Sequence, residues 1–195
     1  RLDEEDMKVA FAFLLSVPGA PFIYYGDEIG MRYLPGLTSV EGGFNRTGSR
    51  TPMQWDDGVN AGFSSAAKEK LYICQDESVD RPTVQNQQAR EDSLYHEVKK
   101  LIAIRQAHPA LLSRGEIEFV YAQENAYPFA YLRSAGEGKD GEKILVVLNP
   151  SGREESFPCD LKTGEVIYRF GGELKAQDGQ MTIPACTAVW VKVEA

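Results

Sequence analysis

PGAPFIYYGDEIGM, residues 18–31, is an apolar, β-favouring run that ends abruptly in two adjacent carboxylates and a glycine. Phe22, Ile23, Tyr24 and Tyr25 follow one another with no polar interruption, the pattern of a strand covered on both faces in a parallel α/β sheet. A strand is therefore expected over 21–29, with Asp27 and Glu28 placed where the chain leaves the core. Upstream, Met7, Phe11, Leu14 and Leu15 fall on one stripe, and Asp3 with Asp6 suits a helix start, so residues 3–17 read as a helix that Pro18-Gly19 stops. Downstream, Leu94, Val98, Leu101, Ile102 and Arg105 mark a second helix over about 92–107, with Pro109 just beyond it.

Between these lies a long excursion, about residues 31–91, with little periodicity. It carries Tyr33, Phe44, Trp55, Phe63 and Tyr72 among its glycines, which favours an ordered, functional loop over disorder. From about residue 114 short strands take over. Glu116 to Phe119 alternates, Tyr127, Phe129 and Tyr131 share a face, Ile144 to Leu148 is a buried run, and Val189, Val191 and Val193 alternate with Trp190 and Lys192. Gly136-Glu137-Gly138, Asn149-Pro150-Ser151-Gly152, Gly171-Gly172 and Asp178-Gly179 separate them as turns. Such spacing points to a small antiparallel sandwich or open barrel.

The totals exclude several functions. Of 195 residues, 29 are acidic and 21 basic, a net charge of −8 with no Lys/Arg cluster. Nucleic acid and anionic membrane surfaces therefore lack their electrostatic footprint, and neither is expected as a partner. Cys74, Cys159 and Cys186 are odd in number and widely spaced, so three reduced thiols are expected rather than a disulfide framework or a zinc site, and no metal or cofactor is anticipated. No apolar stretch approaches the roughly 20 residues of a membrane span. RLDEEDMK at the N-terminus is neither a Met start nor a signal peptide, so the chain reads as cut from something longer, with a cytoplasmic address as the expectation.

Two segments together carry a family resemblance. PGAPFIYYGDEIGM resembles the eighth barrel strand of the α-amylase family of glycoside hydrolases. SRTPMQWDDGVNAGFS, residues 49–64, resembles the loop that follows it in the oligo-1,6-glucosidase, α-glucosidase and trehalose synthase branch. SLYHEVKKLIAIRQAHPAL, residues 93–111, is similar to the family's last barrel helix. The resemblance implies a fold that is α/β plus all-β. Residues 1–112 would supply the seventh helix, the eighth strand, its loop and the eighth helix of an incomplete TIM barrel, and 113–195 the antiparallel β-sandwich that follows. It also implies that the nucleophilic aspartate, the acid/base glutamate and the supporting aspartate lie on earlier strands, ahead of Arg1. The chain would then hold part of the pocket for a short α-linked glucoside and be inactive without its barrel partner.

The residues agree that no catalytic pair is present. A retaining glycosidase needs two carboxyl groups about 5–5.5 Å apart across the glycosidic bond. Neighbouring strand residues such as Asp27 and Glu28 point to opposite faces, and Asp56-Asp57 fails as an adjacent pair too. Substrate binding is assigned instead to Arg50, with Asp27 and Glu28. A guanidinium forks onto vicinal hydroxyls, and in the resembled branch the RTPMQW arginine lies at the terminal glucose. The bland alternatives are a structural ion pair for Arg50 and a loop carboxylate paired with Lys or Arg for Asp27 or Glu28. Trp55 and Phe63 could stack on sugars, though loop anchoring is the expected role. His96 and His108 read as structural, and Tyr127, Phe129, Tyr131 and Trp190 as sandwich core. The other function class is a non-catalytic carbohydrate-binding or interaction module working through the 114–195 sheet. A trehalose synthase-like isomerase is a near neighbour of the hydrolase reading, since both run through one covalent glucosyl intermediate. Half a barrel also leaves apolar surface and strand edges uncovered, so self-association of the isolated chain is expected.

Overall fold

The computed structural model describes residues 3–136 and 141–194, and these form two compact units. One takes in Arg1–Pro21 with Val98–Ala195, and the other is Phe22–Glu97.

In the first unit, helix α1 runs over Glu4–Leu14. Asp3 caps it by accepting the Asp6 amide at 2.9 Å, and Asp6 accepts the Asp3 amide in return, the reciprocal box that satisfies two orphan donors. Helix α3, Leu94–Ala107, follows the six-residue α2, Val84–Ala89. Both long helices match their expected spans, trimmed at the ends, and Phe11, Leu15, Leu94, Val98 and Leu101 are buried as the stripes require.

The sheets are antiparallel throughout. One holds five strands in the order β1 (Glu116–Tyr121), β2 (Phe129–Ala135), β3 (Glu142–Asn149), β8 (Thr187–Val193) and β5 (Thr163–Phe170). The other holds β4 (Glu155–Pro158), β7 (Gln180–Ile183) and β6 (Lys175–Gln177) in that order. Strand period divides the large sheet's side chains between two faces. Leu145, Val147, Ala130, Val189 and Val191 meet Phe157, Cys159, Met181 and Ile183 of the small sheet in one apolar cluster. On the opposite face Val146 pairs with Tyr131 and Trp190, and Trp190 with Tyr168. Helix α1 lies against β3 and β8, and Lys100 of α3 sits over the Tyr168 ring at 5.0 Å. A β3 buried on both faces explains why Ile144 to Leu148 shows no alternation.

The expected strands at 116–119, 144–148 and 189–193 are present, and β2 begins at Phe129. Tyr131 and Trp190 are core, as read from sequence. Tyr127 is not: it lies outside the strand and is exposed. Four strands, β4 to β7, went unread. β4 ends in a proline, β6 is wholly exposed, and β5 changes register twice against β8, which erases its alternation. Asp178 and Gly179 both take positive φ, 50° and 74°, and link β6 to β7 by a two-residue turn of the kind such dihedrals select. Gly136 also has positive φ, while its expected turn companions Glu137 and Gly138 lie outside the described residues.

Two arginines tie this unit together. Arg105 donates to the carbonyls of Leu15, Val17 and Gly19 at 2.8, 2.9 and 2.8 Å, where the end of α1 presents its negative pole. Arg133 is fully buried. It donates to Ser16 O, to Glu116 O at 3.0 Å, and through Nη2 to Leu112 O at 2.8 Å and Gly115 O at 3.0 Å. Burial, then the neighbouring positive charge of Arg105, holds the Arg133 pKa below its usual value. Tyr131 completes the cluster. Its hydroxyl lies 2.5 Å from Ser16 Oγ, which itself donates to Ala12 O at 2.6 Å.

Burial pushes the Tyr131 pKa up to about 12, against about 10 in an unfolded chain. The folded state therefore holds the proton that the unfolded state loses between pH 10 and 12. This contribution to stability is full below pH 10 and is lost as pH rises toward 12. Alkaline titration of unfolding should show a fall of about 3 kcal/mol over that window, and Tyr131→Phe should remove most of it. An unchanged slope in the variant would rule Tyr131 out as the cause.

The second unit differs from its expectation at the opening motif. Residues 20–24 form no strand, and Phe22 is 88% exposed. An apolar run becomes a strand only with neighbours to pair its backbone, and none of the described residues pairs with this one. The excursion is ordered, as expected, but by short pieces: single 3₁₀ turns at Thr47–Ser49 and Lys68–Lys70, a turn over Val59–Gly62 in which Asn60 and Ala61 take positive φ, then α2. Arg32 clasps its two ends, donating to Ser78 Oγ at 2.9 Å and to Asp80 Oδ1 at 2.9 Å. Among the described residues no helix is long and apolar enough to cross a membrane.

Candidate functional site

Asp27, Glu28 and Arg50 all belong to the second unit. Gly26, at φ 90°, turns the chain out of the apolar run into a 3₁₀ turn over Asp27–Ile29. A side chain at Gly26 would meet Met31 Sδ at 2.4 Å, so only glycine fits here. The two carboxylates serve this turn. Asp27 Oδ2 accepts the Tyr24 amide at 3.0 Å, and Glu28 Oε2 accepts the Gly26 amide at 2.8 Å. Among the described residues neither carboxylate makes an ion pair with Lys or Arg, so the bland pairing read from sequence does not occur. Buried Ile29 pins the turn from below.

The second segment of the site is RTPMQW, residues 50–55, which is irregular. Thr51, Pro52, Met53 and Gln54 are buried, whereas Arg50 and Trp55 are exposed at either end. Gln54 donates its amide to Pro82 O. Its own carbonyl accepts the Val84 amide at 2.9 Å, and Trp55 O accepts the Gln85 amide at 2.9 Å. Thr83 caps α2 by accepting the Asn86 amide at 3.1 Å. Close approach also shapes the loop before Arg50: Gly48 O accepts the Leu34 amide at 3.0 Å, and a Cβ at Gly48 would meet Leu34 O at 2.0 Å.

Tyr25 joins the two segments, donating its hydroxyl to Thr51 O at 3.1 Å. Its ring lies 4.5 Å from that of Tyr24. Burial, then Tyr24, raises the Tyr25 pKa, and the positive charge of Arg50 opposes the rise. Arg50 thus stands near the tyrosine pair with no hydrogen bond or ion pair to its guanidinium from any described residue. A free fork of donors beside two tyrosines and a carboxylate turn is the chemistry of polyol recognition.

The sequence singled out Arg50, Asp27 and Glu28 as candidates but not Tyr25 and Gln54, whose bonds to Thr51 O and Pro82 O tie these segments down. The signal available for Tyr25 was a hydroxyl at the end of an otherwise apolar run, one residue before the glycine. Trp55 and Phe63, expected as anchors, are half exposed, and backbone bonds hold the loop in their place, including Trp55 N to Ala61 O at 2.8 Å. His96 and His108 do bond locally, to Gln88 O at 3.1 Å and Glu142 Oε1 at 2.6 Å. The three cysteines are free thiols. Among the described residues no three His, Cys, Asp or Glu side chains are grouped to hold a metal.

Residues 1–115 match the α-amylase catalytic domain. The chain belongs to the α-amylase family. It is 36% identical over 165 residues to the trehalose synthase/amylase TreS of Mycobacterium tuberculosis, covering 82% of this chain and 26% of that protein. It is 29% identical over 204 residues to a glucan 1,6-α-glucosidase of Streptococcus pneumoniae, covering 90% of this chain and 36% of that one. The trehalulose synthase MutB from Pseudomonas mesoacidophila superposes with a TM-score of 0.79 at 26% identity, over 98% of this chain and 38% of its own. This chain therefore spans about a quarter to two fifths of the length of these relatives.

Proposed function

We propose that the chain forms part of a retaining α-glucosidase-like enzyme acting on short α-linked glucosides, with Arg50 contacting the sugar and Asp27 and Glu28 shaping the pocket beside it. The observation that carries this reading is the free guanidinium of Arg50 at the head of a buried TPMQ segment, tied by Tyr25 to the carboxylate turn. The nucleophile and acid/base carboxylates are supplied by residues outside these 195, because Asp27 and Glu28 are adjacent and each is committed to a backbone amide. In that setting residues 1–112 serve as the last part of a TIM barrel, and 21–25 pair as its eighth strand once a neighbour is present. Residues 113–195 serve as the β-domain that follows. Three free thiols fit a reducing cytoplasm.

A glucosyl isomerase is the second reading, supported by the 36% identity to a trehalose synthase. An enzyme carrying this chain, supplied with maltose or isomaltose, should release glucose under the first reading and convert maltose to trehalose under the second. Absence of both reactions on any short α-glucoside would end the proposal.

The 195 residues alone should self-associate. Phe22, Tyr24 and Tyr25 are exposed together on one short segment, and such surface is covered in a stable monomer. Size exclusion should show a species larger than 21.7 kDa, and a monodisperse monomer would count against it.

A further inference from the structure

A second feature of the excursion loop is an open groove of about 450 Å³ between the turn after RTPMQW and helix α2. Trp55, Asp56, Asp57 and Gly58 form one wall, and Gln85 and Gln88 the other. We infer that this groove binds a glucosyl unit of an α-linked oligosaccharide, with its ring stacked on the Trp55 indole and its hydroxyls held by Asp57 and Gln85.

The walls are preset. The Gln85 amide donates to Trp55 O and the Val84 amide to Gln54 O, both at 2.9 Å, so α2 cannot drift from the turn without breaking two backbone bonds. Such preorganisation lowers the ordering cost of binding. Trp55 is 50% exposed although its backbone is fixed at both N and O. An indole gives a broad apolar plate for the C–H face of a pyranose. Around it the polar groups match the rim of a sugar. Asp56 Oδ1 is spent on the Gly58 amide at 2.7 Å, which leaves Asp57 as the free carboxylate to accept two hydroxyl protons. The Gln85 amide can donate and accept, and the Gln88 amide also reaches Tyr95 Oη at 3.3 Å. No basic side chain lines the groove, so phosphorylated or other anionic ligands meet two carboxylates and no counter-charge. Its volume falls within the roughly 300–1,000 Å³ of small-molecule clefts. The choice of a glucoside rests on the function proposed above, whereas the geometry of the groove does not.

The chain contains two tryptophans, and the other, Trp190, is 0% exposed. Quenching of tryptophan fluorescence by acrylamide therefore reports on Trp55. Maltotriose or isomaltotriose at millimolar concentration should cut that quenching at least twofold. Trp55→Phe should abolish the response, and Asp57→Asn with Gln85→Ala, both at exposed positions, should weaken binding about tenfold. Heat of glucoside binding that disappears with Arg50→Ala while Trp55 quenching stays unchanged would overturn the groove and leave the glucoside reading standing. Protection of Trp55 by tetramethylammonium but not by either sugar would overturn it as well, marking a site for organic cations. With neither heat nor protection the groove is rejected outright, and the activity assay decides the wider reading separately.

Discussion

Replacing Arg133 with alanine is expected to lower the unfolding free energy of the first unit by about 3–5 kcal/mol, the range for breaking a fully buried charged contact. Four carbonyls, those of Ser16, Leu112, Gly115 and Glu116, lose the Arg133 donor together, and the bonds to Ser16 and Gly115 are buried, so their carbonyls are left without a partner away from water. These carbonyls come from the end of the α1 segment, the link after α3 and the start of β1, so a single side chain joins three separate stretches. Arg133→Met fills a similar volume without donating and should fall nearly as far. Arg133→Lys should recover little, since one compact ammonium cannot fork to four acceptors. Urea denaturation followed by circular dichroism measures all three. A loss under about 1 kcal/mol for the methionine variant would show that Arg133 packs rather than binds.

In the active enzyme, Arg50→Ala should reduce kcat/KM for a short α-glucoside by about 10- to 100-fold, the worth of one charged hydrogen-bonding group. A rise in KM with kcat unchanged would place Arg50 in uniform substrate binding. A fall in kcat would mean that its contact tightens in the transition state. Arg50→Lys should restore only part of the loss, because it keeps the charge without the fork. Activity equal to wild type in the alanine variant would return Arg50 to a purely structural role. Unfolding of the second unit should move little, as its guanidinium is exposed and bonded to no described residue.

Much of the fold could be read because certain segments carry their own period. The stripes of α1 and α3, and the alternation of β1 and β8, need no knowledge of their partners. β5 failed where bulges broke the alternation, and β4 and β6 failed because short exposed strands have little apolar pattern to show. Residues 21–25 misled in the other direction. Their apolar run is genuine, but a strand is a property of a pair, and the described residues offer none. At the site, Arg50 was legible because it opens a distinctive motif. Tyr25, which fastens that motif to the Asp27 turn, was not, because its hydroxyl stands out at the end of the apolar run but its partner, a carbonyl 26 residues away, does not. Arg133 was hidden for the same reason: within β2 it looks like one more solvent-facing cation.

The sheet order bears on how the molecule is made. β8 follows every other strand in the chain, yet it lies between β3 and β5. A ribosome must release residues 187–193 before those neighbours can be bridged, so the larger sheet waits for them during synthesis. A protease that clipped these residues would remove a middle plank, parting β5 from the rest.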